Sequence, residues 1–347
     1  MSVSLADSIA TQIEALFNTE VKDTYFMKGG IHKNPKGKLY AKLYNSMRLL
    51  KSSGLVDNNK RGTTEKQTKT LRQFDCESDI QHILDQIFYD TDITFPDLQN
   101  LWKRTTKFRL NDIQKSSSTD AIIKKWTNYK APLGFKLIDI DFNTLYPDCS
   151  SDFISSFGEK SEKCLKIFED KIKDPSSRTL FEQLKNTPNI SENGKNSIIF
   201  CLFHAVFVPT SRKVTRDENG TKSQIKYSIR DSMNSFIVFK NSITEVEDYI
   251  LCRKNEKQPI QPFIIIIGTS VNPKEIFIFF DCIKYKLFSI TSAVDICFKI
   301  FHLFNLEYPV QSSIVWLFIQ KYFYAITTVY DKPFHGLGQI LSDLHNI

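Results

Sequence analysis

The chain has 347 residues, 41% of them hydrophobic and 13% aromatic, with 28 Phe against 12 Gly; that is enough apolar side chain for a sizeable core and excludes a wholly disordered protein. Net charge is +7 and unevenly placed: from Lys28 to Arg72 twelve Lys or Arg face only Asp57 and Glu65, a surplus of ten, so the rest sums to −3. A segment so unlike its surroundings points to a separate job.

No basic region followed by an apolar one marks the start as a secretory signal. Residues 4 to 18 place Ile9, Ile13, Leu16 and Phe17 at the spacing of one helical stripe. A second helix is expected from Lys38 to Ser53, after Lys36 and Gly37 and before Gly54 as its carboxyl cap. Leu39, Tyr40, Leu43, Met47 and Leu50 share one arc of it, and Lys38, Lys42 and Arg48 the opposite arc. One side packs and the other carries charge. Val56 to Phe74 is polar and reads as a linker. A helical middle region follows: Ile80, Ile83, Leu84, Ile87 and Phe88 form a stripe after the caps Asp75 and Ser78. Pro96 opens a helix with Leu98, Leu101 and Trp102, and Thr119 precedes one with Ile122, Ile123 and Trp126. Over Lys136 to Phe142 the apolar residues Ile138, Ile140 and Phe142 alternate with Leu137, Asp139 and Asp141, so the period predicts a strand. Helices are expected near 161 to 173 and 177 to 186.

Ser191 starts a helix whose centre, IIFCLFHAVFV, is apolar all round and therefore buried. A basic, Gly-containing loop from Pro209 to Lys226 leads to a strand at Ser235 to Phe239. Ser242 with Glu245 matches a capping box for a helix to Cys252. Three further strands are expected at Phe263 to Ile267, Glu275 to Phe280 and Ile283 to Phe288, then two helices capped at Ser292 and at Ser312 or Ser313. The order β-α-β-β-β-α-α implies a parallel crossover between the first two strands, then a meander, giving a mixed sheet covered by helices. The fold class is α+β, in three parts: 1–74 basic helix and linker, 75–190 helical with one strand near 136–142, and 191–347 an α+β domain. Apolar runs fall short of a membrane span, since Ser197 to Pro209 is too brief and Lys299 and Lys321 interrupt the later ones. Seven Cys without a C-x-x-C pair suggest neither zinc knuckle nor disulfide framework and fit a reducing, intracellular compartment, the nucleus ahead of the cytoplasm.

Phosphate neutralisation dominates nucleic-acid affinity and needs Lys and Arg spread over a surface. Lys36, Lys38, Lys42, Arg48 and Lys51 supply that surface, and Tyr40 and Tyr44 add stacking or phosphate hydrogen bonds. The phrase Leu49 to Val56 before an Arg-Gly turn is similar to the end of a recognition helix and start of a wing in winged helix-turn-helix proteins. On a strand, Asp139 and Asp141 would point to one face, as divalent-metal phosphoryl transfer requires, with Asp148, Asp152 or Asp281 as a third acid; a half-buried strand also needs polar residues on its wet face. Cys201 and His204 lie one turn apart like a nucleophile and base, yet in surroundings that make a thiol inert. Cys297 and His302 carry less weight still. Phe263 to Gly268 imitates the first strand of a nucleotide-binding fold, but one Gly and then another strand make a hairpin.

The blocks WTNYKAPLGFKLIDIDF (126–142) and AVDICFKIFHLFNLEYPVQSSIVWLFIQKYFYAI (293–326) resemble a lineage-expanded family of invertebrate proteins of unknown function. That resemblance implies that the segment at 136–142 and the C-terminal sheet with its helix pair belong together. It implies no reaction, cofactor, metal or small-molecule ligand. The sequence reading is a non-enzymatic nucleic-acid-binding protein with a C-terminal protein-interaction module and no membrane association. Its rivals are a magnesium-dependent nuclease or transposase relative using Asp139 and Asp141, and a structural or assembly protein.

Overall fold

A computed structural model of the chain describes residues 3–27, 36–52, 74, 80–147, 149, 152–216, 222–255, 261–328, 330–332 and 334–346. The side chains of residues 44, 47–52, 152, 215, 216, 222 and 335 lie outside that description, as do the expected linker at 56–73 and the expected caps Asp75 and Ser78. The chain divides into two compact units, Met1–Arg72 and Gln73–Ile347.

The first unit holds α1 (Val3–Leu16), α2 (Lys22–Tyr25) and α3 (Lys38–Ser52). Small residues make its packing: Ala6 and Ala10 are fully buried with Phe26, and Tyr25, Leu39 and Tyr40 close around them. Of the expected α1 stripe, Leu16 and Phe17 stay exposed, at 76% and 58%.

The second unit begins with α4 (Gln81–Tyr89), α5 (Phe95–Arg104), α6 (Thr106–Lys115) and α7 (Thr119–Lys125). Thr94 caps α5, accepting from the Asp97 amide, and Ser118 rather than Thr119 caps α7. The segment expected as a strand at 136–142 is instead helix α8, Gly134–Leu145. Its buried positions, Gly134, Leu137, Ile138, Asp141 and Phe142, follow the 3.6 period. The alternation had hidden this because Asp141 counts as a core residue. Gly134 is required where α8 begins, since a Cβ there would stand 2.3 Å from the Tyr129 carbonyl oxygen. Helices α9 (Asp152–Lys171), α10 (Pro175–Asn186) and α11 (Glu192–Val206) follow, α11 capped by Ser191 and buried all round as expected.

The expected loop from Pro209 to Lys226 contains a two-stranded ribbon, β1 (Arg212–Arg216) antiparallel to β2 (Lys222–Lys226). After α12 (Ile229–Asn234) come β3 (Ile237–Lys240), α13 (Ile243–Asn255), β4 (Phe263–Gly268), β5 (Pro273–Phe280) and β6 (Ile283–Leu287). The sheet order is β3-β4-β5-β6, with β3 parallel to β4 and the rest antiparallel, as the sequence order implies. Strand β4 is buried on both faces, which is why it reads as unbroken Ile. Ile264 and Ile266 join the main core, whereas Phe263, Ile265 and Ile267 join the cluster under α13. At Gly268 (φ +118°) the register shifts into the β4–β5 turn. Helix α14 (Ile290–Leu303) is capped by Ser289 rather than Ser292. Helix α15 (Ser313–Phe318) runs on into a π turn over Ile319–Phe323, and α16 (His335–His345) closes the described chain. One continuous core joins residues from Ile80 to Leu344.

A buried ion pair ties the helical part of this unit together. Arg109 and Asp141 are both fully buried. Asp141 accepts from Arg109 through both oxygens, from Trp102 Nε1 at 3.0 Å and from Tyr129 Oη at 2.6 Å. The guanidinium also donates to Thr105 and Thr106 hydroxyls and to the Trp102 carbonyl, and its carbon lies 3.7 Å from the Trp102 ring centroid. Asp141→Ala should cost roughly 3–5 kcal/mol by stranding the Arg109 charge, whereas Arg109→Met/Asp141→Leu should cost clearly less. Urea midpoints of the three proteins check this; a single variant as stable as the parent would refute it.

Candidate nucleic-acid interface

Helix α3 is held at its amino end. Met27 and Lys36 exchange backbone hydrogen bonds (2.9 and 3.1 Å), and Gly37, at φ +120°, passes so close to Tyr25 that a Cβ would meet its carbonyl oxygen at 2.4 Å. Tyr40 stacks on Phe26 with ring centroids 5.7 Å apart, and Leu39 packs beside it. That face being occupied, Lys36, Lys38 and Lys42 are left exposed. Lys38 Nζ lies 5.2 Å from the Tyr25 ring centroid, and among the described residues no carboxylate pairs with any of the three. Tyr44, Arg48 and Lys51 belong to the same helix, but their side chains lie outside the described residues.

In the larger unit some lysines are paired and others are not. Lys124, Lys125, Lys185, Lys195, Lys284 and Lys286 each reach a carboxylate within 2.8 Å. Others, such as Lys103, Lys107, Lys115 and Lys136, stand exposed with no ion pair among the described residues, as Lys36, Lys38 and Lys42 do; what sets the first unit apart is the density of its positive charge.

The paired-carboxylate expectation fails with the strand that carried it. On a helix, Asp139 and Asp141 are about 200° apart, and each is committed to its own cation. Asp141 is spent on Arg109, and Asp139 meets Lys299, which also binds Asp295 at 2.7 Å. Burial opposes the Lys299 ammonium, but Asp295 and Asp139 outweigh it and hold its pKa above the ordinary lysine value; Asp295 is itself pushed up by burial. Of the proposed third acids, Asp148 and the Asp152 side chain lie outside the described residues. Asp281 sits beside Asp120, Lys254, Lys130 and Lys124, its carboxyl raised by burial and then by Asp120. Among the described residues no group of three metal-ligating side chains gathers.

Cys201 and His204 are buried, as their surroundings imply. Burial pushes the Cys201 thiol up to about 12 and the His204 imidazole down to about 3. His204 Nδ1 meets Ser232 Oγ at 2.7 Å, so its partner is a hydroxyl on α12 rather than the thiol. Cys297 is buried and its thiol raised, while both His302 nitrogens are engaged, by Tyr146 at 3.2 Å and Tyr308 at 2.8 Å. An open concavity of about 380 Å³ is lined by Asp90, Asp92 and Asp97. Two of these are spent locally, Asp90 on the Asp92 amide and Asp97 on Thr94.

Sequence reasoning missed the basic ribbon, where Arg212, Lys213 and Lys226 are exposed. One signal was present, since the dipeptide Asn219-Gly220 favours a hairpin turn. Two outcomes follow from the buried groups. In the native protein iodoacetamide should modify the exposed Cys252 and Cys282 but reach Cys164, Cys201 and Cys297 only after denaturation, as read by peptide mass mapping. His204 titrates near its ordinary 6.5 when unfolded and about 3 when folded, so the unfolded chain takes up the proton first. Stability is full above pH 6.5 and falls as pH drops toward 3, by on the order of 5 kcal/mol over the window. Urea midpoints between pH 7 and 4 should show a flatter profile for His204→Gln. Comparison with known proteins adds no name: no family model, curated protein or solved structure matches the chain.

Proposed function

We propose that the protein is a non-enzymatic nucleic-acid-binding protein that grips phosphates through the exposed arc of α3, with the α+β part of the larger unit serving protein association. The observation that carries the reading is the concentration of charge: Lys36, Lys38 and Lys42 stand exposed without a carboxylate among the described residues, in a segment with a surplus of ten positive charges. Keeping like charges together is unfavourable in the free protein, and a polyanion relieves it while releasing counterions. Arg48, Lys51 and Tyr44 extend the contact by their place on the same helix. Such contacts fix position on a backbone and carry little base preference.

Four to six phosphate contacts set a salt slope, log affinity against log salt, of about −4 to −5. Titration of the full chain against duplex DNA and single-stranded RNA should give that slope, and Lys36→Ala/Lys38→Ala/Lys42→Ala should make it shallower by about 2.7. An unchanged slope in the triple variant would sink the reading.

A further inference from the structure

The ribbon β1–β2 is built unlike every other strand pair of the molecule. Among the described residues it pairs with no third strand, and an isolated two-stranded hairpin is marginal in water. Its exposed apolar residues, Val214 at 60% and Ile225 at 49%, join none of the hydrophobic clusters. Its register makes matters worse: Arg212 lies opposite Lys226. Like charges directly across a strand pair repel. On the edge strand β6, Lys284 is met by Glu247 and Lys286 by Glu275. On the ribbon, neither Arg212 nor Lys226 has an ion-pair partner among the described residues. Lys213, on the opposite face, feels Asp231, whose carboxylate is already spent on the Ser228 amide and hydroxyl in a capping box and is held below the usual range by those bonds.

The base of the ribbon is nonetheless anchored. Ser211 Oγ donates to the Val310 carbonyl at 2.9 Å, the Tyr227 amide returns to the Ser211 carbonyl at 3.2 Å, and α12 starts at once on its capping box. A fixed stem thus presents an uncompensated basic ribbon. Dimensions select among polyanions. Two strands lie about 4.8 Å apart, and with side chains they fill a groove of about 12 Å, the width of the B-DNA major groove, which admits such a ribbon. The A-form major groove of RNA is too deep and narrow for one.

We propose that the β1–β2 ribbon enters the major groove of duplex DNA, with Arg212 and Lys226 on its phosphates. The proposal rests on the reading of the chain as a nucleic-acid binder but on residues far in sequence from Lys38 and Lys42, so the two can fail separately. The test titrates the full chain against duplex DNA and duplex RNA of one sequence from 50 to 200 mM salt. Wild type is compared with Arg212→Ala/Lys226→Ala, the charge-keeping Arg212→Lys/Lys226→Arg, and the triple lysine variant of α3.

The alanine pair should give a slope shallower by about 1.8, so that its affinity changes about tenfold less than that of wild type across this salt range, and it should lose the preference for DNA over RNA. The charge-keeping pair should bind as wild type. An alanine pair with the wild-type slope overturns the proposal even if the α3 variant is impaired, in which case the α3 reading stands alone. A wild-type protein that binds duplex RNA as well as duplex DNA overturns the groove assignment. Polyglutamate competing as well per charge as DNA would assign the ribbon to acidic proteins instead, and no binding by wild type overturns both readings.

Discussion

The larger unit depends on the closed account between Arg109 and Asp141. Taking two charges out of water costs several kcal/mol per ion, and mutual attraction repays it only when every remaining donor and acceptor is also satisfied. Here each guanidinium nitrogen has a partner, and both Asp141 oxygens are used. Those partners sit on different elements. Trp102 belongs to α5, Arg109 to α6, Tyr129 to the 3-10 turn Thr127–Lys130, and Asp141 to α8. The pair is satisfied in one arrangement of four elements and no other, so it selects a packing as much as it stabilises one. From Tyr129 the constraint travels onward: its carbonyl accepts from the Tyr285 hydroxyl on β6, and its ring meets Phe304 at 5.5 Å just past α14. The helical part and the sheet are therefore parts of one core.

A second buried network repeats the device between α8 and α14. Lys299 is shared by Asp139 and Asp295, and the Tyr324 hydroxyl donates to Asp295. Its placement explains why α8 carries two acids at i and i+2. On a helix that spacing sends one carboxylate inward to Arg109 and the other toward α14. A π turn at Ile319–Phe323 precedes Tyr324, and π turns are uncommon and mark places where a side chain must be re-aimed. Here Gln320 within the turn bonds Tyr308, Ile326 and Asp331, closing the segment that delivers Tyr324.

These networks mark the limit of what the sequence discloses. Where burial is expressed in apolar side chains alone, the pattern is legible: β4 as unbroken Ile, α11 as apolar all round, and the sheet order from a crossover and a meander. Where a charge is part of the core, the pattern misleads. Asp141 looks like the wet position of an alternating strand because its partner, Arg109, lies 32 residues away and gives no local sign. The ribbon was misread for the opposite reason, since its segments Arg212–Arg216 and Lys222–Lys226 hold one apolar residue each and so show no hydrophobic period to betray a strand. In α3 the division into a packed and a charged arc was legible, and Leu39 and Tyr40 do pack while Lys36, Lys38 and Lys42 do not. The Phe26 ring that Tyr40 covers was not.

The same contrast bears on how recognition is arranged. A protein can tolerate uncompensated charge only on elements whose folding does not depend on neutralising it. In the larger unit, cations near the core are neutralised with care: Arg109 and Lys299 are buried and fully paired, and the lysines of β6 are answered on the surface. Stability gathered there supports a ribbon that repels itself and contributes no apolar contact to a core. The self-repulsion is a cost in the free state, and phosphates on that face, as proposed, would remove it. Binding energy of that kind would be stored in the register of the ribbon before any partner arrives, because the Arg212–Lys226 pairing is set by backbone hydrogen bonds and needs no rearrangement to meet an anion.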